Sequence, residues 1–112
     1  MNFVIFDEIY QGTLPKSATD KEFAEFVKNH TEKRLRKTDE CEVKIQFNSR
    51  KVNLGNISSG AIKPIIDCLY PVLGGVSGDP DDHTIRNLLV EKGVEDIPQE
   101  SIRIMISNFS DV

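Results

Sequence analysis

The sequence predicts an α+β domain in which two helices pack on a small mixed sheet, in the order β-α-β-α-β-β. Three observations carry that reading. Cys41, Val43, Ile45 and Phe47 alternate with Glu42, Lys44 and Gln46, the period of a strand with one buried and one wet face. Phe23, Phe26, Val27 and His30 fall at i, i+3, i+4 and i+7, one face of a helix. The 112 residues, 38% apolar and 29% charged, suit one compact domain over residues 1–112, with neither repeat nor linker.

The elements follow in order. Asn2 to Phe6 is a short apolar run of strand formers, punctuated by Gly12 and Pro15. Thr19 and Glu22 stand as a capping box, which starts the first helix. That helix is expected to end in Lys33, Arg34, Arg36 and Lys37, cations placed where its dipole leaves partial negative charge. After the strand at Cys41 to Phe47, Asn48 to Asn56 is polar and reads as a connection. Ala61, Ile62, Ile65, Ile66, Leu69 and Leu73 supply a second helical face. Pro64 is tolerated only in a first turn, so this helix is expected to start near Ser59 to Ala61 and end near Pro71. Gly74 and Gly75 then terminate it. Thr84 to Val90 and Ile102 to Ile106 read as two strands, with GVEDIPQES between them as a hairpin-like connection.

Charge and cysteine usage narrow the classes. The net charge is −4, and residues 53–112 hold four Lys and Arg against nine Asp and Glu. A nucleic-acid binder usually shows a basic footprint. The one local positive excess is Lys28 to Lys51, with eight basic and four acidic residues, which could track a phosphate backbone. Cys41 and Cys68 form neither a CxxC motif nor a zinc framework with the distant His30 and His83, and reduced, buried thiols are expected. The N-terminus has no basic leader and no apolar run approaches a membrane span, so the expected location is cytoplasmic, with no membrane contact.

The densest chemistry lies in Gly74 to His83, GGVSGDPDDH. Asp79, Asp81 and Asp82 could hold Mg²⁺ or Mn²⁺, which prefer hard oxygen ligands, although Gly, Asp and Pro are also the commonest turn formers. The EF-hand spacing is absent, and GGVSG lacks the ending of a Walker motif. His83 beside Asp82 is a candidate acid/base pair, although adjacent residues often point apart. Lys63 and Asp67, four apart on the second helix, could form an ion pair, or Lys63 could contact a scissile phosphate.

Two segments together, GAIKPIIDCLYPVLGG and DPDDHTIRNLLVEKG, resemble the RusA family of phage-type Holliday junction resolvases. That family's signature joins a DxDN…K…DAL helix to a DDxxI strand ending near a lysine. Lys63, Asp67 and Leu69 match the helix part; Asp81, Asp82, Ile85 and Lys92 match the strand part. The motif match covers about thirty residues, and the order of elements agrees along most of the chain. The resemblance implies a homodimer acting in DNA recombination and repair, which cuts branched DNA with Mg²⁺ held by clustered aspartates. It assigns catalysis to Lys63, Asp67 and Asp82, and the metal to Asp81 and Asp82.

One departure matters. Counted back from Lys63, the family's paired aspartates and following asparagine fall on Ile57, Ser59 and Gly60, and VNLGNISSG contains no carboxylate. The loop before Asp81 is also longer. The expectation is therefore a divergent member with cleavage weakened or lost, needing no Mg²⁺ if the site is degenerate, and keeping a binding role toward branched DNA or a protein partner. The alternatives are an active Mg²⁺-dependent endodeoxyribonuclease with rearranged carboxylates, and an unrelated interaction module whose acidic half meets a basic partner.

Overall fold

A computed structural model describes residues 3–11, 21–48, 59–77, 79–93 and 101–109. The first strand, β1, runs over Phe3–Tyr10, further than the Asn2 to Phe6 expectation. An irregularity between Val4 and Phe6 resets its alternation, so that Phe6 and Tyr10 face the core while Asp7 and Ile9 face outward. Gly12, Pro15 and the Thr19 end of the capping box lie outside the described residues.

Helix α1, Lys21–His30, buries Phe23 and Val27 as the stripe requires. His30 departs from it. At the last helical position the ring is exposed, tilts against Phe26 at 4.4 Å, and places Nδ1 2.8 Å from the Phe26 carbonyl. The helix also stops before the four cations expected to close it. The Thr31 hydroxyl donates to the Val27 carbonyl at 2.6 Å, and the Leu35 amide donates to Val72 at 2.7 Å, outside the helix. Lys28 and His30 occupy the last turn instead, so Lys33, Arg34, Arg36 and Lys37 belong to an irregular segment over residues 31–40.

Strand β2, Cys41–Asn48, buries Cys41, Val43, Ile45 and Phe47 and leaves Glu42, Lys44 and Gln46 half-exposed, as the alternation predicts. It includes Asn48, whose amide donates to the Ser101 hydroxyl at 3.3 Å, while the rest of the expected connection, residues 49–56, lies outside the described residues. The second helical region is two pieces, α2 over Ser59–Asp67 and α3 over Tyr70–Leu73. Pro64 lies inside α2, past its first turn, where its missing amide removes one backbone bond. The break between the pieces has a backbone cause. Cys68 and Leu69 donate back three residues, to Ile65 at 3.1 Å and Ile66 at 2.9 Å, and Pro71 lacks a donor, so the chain tightens and restarts with the proline in the first turn. Ile65, Leu69, Val72 and Leu73 are buried by this arrangement.

After two short strands, β3 over Gly75–Val76 and β4 over Asp79–Pro80, the chain makes a 3₁₀ turn at Asp82–Thr84. It then enters β5, Ile85–Lys92, and ends in β6, Ser101–Asn108. Thr84, expected to begin a strand, belongs to the turn. The main sheet has the order β1-β6-β2-β5, with β5 parallel to β2 and β6 antiparallel to both β1 and β2. The hairpin expected between the last two strands is therefore absent, because β2 stands between them. The helical crossover from β2 returns β5 in the parallel sense, and β6 must then cross β2 to fill the gap beside β1.

One sheet face carries the core. Phe6, Tyr10, Ile102, Ile104, Ile106 and the inward residues of β2 meet Phe23 and Val27 of α1 and the apolar faces of α2 and α3. The result is a mixed sheet with helices on it, the α+β class that the sequence predicts, and both cysteines are free and buried within it. No helix among the described residues is long and apolar enough to cross a membrane.

The other face mixes ion pairs with exposed apolar residues, Ile9 and Leu89 among them. Arg103 donates to both carboxylate oxygens of Asp7 at 2.8 Å, while Glu91 accepts from Gln46 at 3.0 Å and pairs with Lys44 at 3.1 Å. The Arg103 guanidinium holds the Asp7 carboxyl below its ordinary 3.8. A carboxyl depressed in the folded state contributes stability above its unfolded value and loses it as pH falls through the folded value. Carbon-detected NMR titration of Asp7 is expected to give a midpoint below 3.8 that rises in Arg103→Ala. An unchanged midpoint in that variant would contradict the pairing.

Candidate functional site

The two glycines that end α3 give the acidic loop its shape. Gly74 and Gly75 have φ of +97° and +94°, backbone that residues with a Cβ rarely adopt. The Gly74 amide closes α3 on the Tyr70 carbonyl at 2.9 Å, as a terminator should. The Gly74 carbonyl then accepts from the Asp81 amide at 2.8 Å, and β3 pairs with β4 through Gly75 opposite Pro80 and Val76 opposite Asp79. A Cβ at Gly74 would stand 2.9 Å from Asp81 Oδ2, so the Asp81 carboxylate lies against the glycine backbone.

Beyond Asp81 the 3₁₀ turn directs the side chains. Thr84 donates to the Asp81 carbonyl from its amide at 3.1 Å and from its buried hydroxyl at 2.7 Å. The same hydroxyl lies 4.0 Å from the Cys41 sulfur. Burial raises the Cys41 thiol to about 11, with the Thr84 contact opposing it in part. A thiol held protonated in this way is a packing group and not a nucleophile. The turn leaves Asp82 exposed and carries His83 away from it, so that Nε2 donates to the Lys37 carbonyl at 3.1 Å. Among the described residues no hydrogen bond joins Asp82 to His83, and the acid/base pairing is not formed.

That histidine bond is one of three that seat residues 31–40 on the acidic loop and the end of α3. Arg34 donates to the Gly75 carbonyl at 2.7 Å, and the Leu35 amide donates to Val72. The segment is itself held by Asp39, which is buried and accepts from the Arg36 amide at 2.8 Å and from its guanidinium at 3.0 and 3.3 Å. Asp39 raises the affinity of Arg36 for its proton. The positive run around Arg34 and the negative run around Asp81, far apart in sequence, are thus neighbours in space. Asp39 is the residue that sequence reasoning overlooked. A polar TDE turn before a strand was the available signal, but the burial of its carboxylate was not visible.

Lys63 and Asp67 form the local pair that their spacing allows, Nζ to Oδ1 at 3.3 Å, with Lys63 largely exposed and Asp67 buried. Asp67, Asp81 and Asp82 are not brought together as an ion cage. Among the described residues no three His, Cys, Asp or Glu side chains stand close enough to hold a metal ion. Of the two acids that the sequence offers as metal ligands, Asp81 is half-buried and Asp82 exposed. Two carboxylates retain a hard divalent ion weakly unless other oxygens complete its shell.

The fold and this loop define a small α+β domain with an acidic loop seated on a basic segment. No protein-family model, no curated protein and no solved structure matches the chain.

Proposed function

We propose that the chain is a divergent RusA-like domain, homodimeric as that family implies, in which Mg²⁺-dependent cleavage is lost and a binding role toward branched DNA or a protein partner is kept. The observation that supports it most is the use already made of the acids. Asp67 is paired with Lys63, Asp81 lies against Gly74, and the stretch VNLGNISSG supplies no carboxylate to face them. In-line phosphodiester cleavage needs an ion that both activates a water and neutralises the leaving oxygen, and two carboxylates do not fix such an ion.

The binding half of the proposal draws on residues 28–37, where Lys28, Lys33 and Lys37 are exposed and suited to phosphate contact. Branched and linear DNA incubated with Mg²⁺ or Mn²⁺ are expected to stay intact with both the native chain and Asp82→Asn, while branched DNA is retarded in a salt-sensitive way. Cleavage by the native chain that is lost in Asp82→Asn would reinstate the active endonuclease. Intact DNA without retardation would leave the protein partner as the role retained.

A further inference from the structure

The segment that seats the acidic loop also walls a hollow. Between residues 31–40 and the start of β1 lies a cavity of about 210 Å³, bounded by Phe3, Ile5, Lys33, Arg34, Arg36 and Asp39. Its charge is one-sided. Asp39 is occupied by the amide and guanidinium of Arg36, whereas Lys33 and Arg34 have no carboxylate partner among the described residues. Arg34 uses one N–H on the Gly75 carbonyl, and Lys33 places its ammonium 5.5 Å above the Phe3 ring. In a chain of net charge −4, a hollow with this surplus of positive charge favours an anion.

The walls add a second requirement. Phe3 is 37% exposed and Ile5 continues the apolar surface, so a ring can lie against Phe3 once the Lys33 ammonium turns from it to a phosphate. A cavity of about 150 Å³ holds one benzene-sized ring. At about 210 Å³ the present one has room for a flat base, with the sugar and phosphate outside it at the basic rim. The frame is fixed beforehand, because the Leu35 amide is tied to Val72 and the Phe109 amide to Glu40 at 2.9 Å, one within the segment and one at its end. Arginine's planar fork suits phosphate oxygens, and nucleobases stack on aromatic rings whatever their identity.

We propose that this pocket binds a nucleoside phosphate, with the base against Phe3 and the phosphate held by Lys33 and Arg34, either as a free nucleotide or as the phosphorylated end of a DNA strand. Nothing in the pocket depends on the RusA relationship. Calorimetric titration with dAMP tests it, alongside deoxyadenosine, inorganic phosphate, and short oligonucleotides with and without a 5′-phosphate. The expected result is saturable dAMP binding that weakens about tenfold in Lys33→Ala, an exposed position, and also in Phe3→Ala, with deoxyadenosine bound far more weakly. A 5′-phosphorylated oligonucleotide that binds more tightly than dAMP and than its 5′-hydroxyl counterpart identifies the strand end. One that binds no better than dAMP identifies the free nucleotide. No dAMP binding at millimolar concentration would overturn the proposal, as would inorganic phosphate binding as well as dAMP, or dAMP affinity unchanged in both variants while their melting curves match the native one.

Discussion

Replacing Phe23 by alanine is expected to lower stability by about 3–5 kcal/mol, the usual cost of removing a fully buried aromatic ring. Phe23 is fully buried, stacks on Tyr10 at 5.0 Å with the rings 12° apart, and meets Phe26 at 6.4 Å. The loss has two parts, the hydrophobic transfer of the ring and the cavity left between α1 and the sheet. In a domain whose total stability is about 5–15 kcal/mol, that is a large fraction. Urea denaturation should show it as a lower midpoint with an unchanged slope, and Phe23→Leu should recover part of it. A loss in the alanine variant below about 1 kcal/mol would mean that α1 is not seated as described.

The second large effect is expected at Gly75. An alanine there must hold φ near +94°, and its Cβ would stand 2.5 Å from the Asp79 carbonyl oxygen and 2.9 Å from the Asp81 amide nitrogen. Both are backbone atoms of the loop, which cannot swing aside as a side chain can. The strained backbone alone costs about 1–3 kcal/mol, and displacing β4 adds to it. Gly74 supplies the control. It has nearly the same φ, +97°, but its Cβ would meet the Asp81 carboxylate, which can rotate away. Gly75→Ala should therefore destabilise more than Gly74→Ala, by about 1 kcal/mol or more, and shift the NMR signals of His83 and Lys37. Equal losses in the two variants would show that φ alone, and not the closed loop, sets the cost.

The parts of this molecule that were legible in the sequence are those governed by near neighbours. The alternation from Cys41 to Phe47 announced a strand with one face buried, and the Phe23 and Val27 spacing announced the core side of α1. Gly74 and Gly75 announced a helix stop, because few other residues accept positive φ. Lys63 and Asp67 announced an ion pair one helical turn apart. Each of these depends on a period or on a single residue's conformational freedom.

What was hidden depends on hydrogen bonds between distant segments. The cations from Lys33 to Lys37 look like the end of a helix in the sequence, yet the Leu35 amide is bonded to Val72. Asp82 and His83 looked like a pair because they are adjacent, yet a 3₁₀ turn sends the imidazole to the Lys37 carbonyl. The place of β6 between β1 and β2 could not be read from a sequence that runs directly from β5 to β6. Charge gave a partial warning, since the second half of the chain is acidic and the first carries the only basic run. That those runs would meet, and that the acids would not converge in threes among the described residues, required the fold.

The most direct measurement is the melting temperature across a Mn²⁺ series, for the native chain and for Asp82→Asn. An ion site filled at a hundred times its dissociation constant would add about 2.7 kcal/mol to the folded state. That would be a rise of about ten degrees for a domain of this size. If Asp81 and Asp82 belong to a loop closed on its own backbone and seated on residues 31–40, the melting temperature stays flat for both proteins. A saturating rise in the native chain that disappears in Asp82→Asn would contradict this and restore the acidic loop as a metal site.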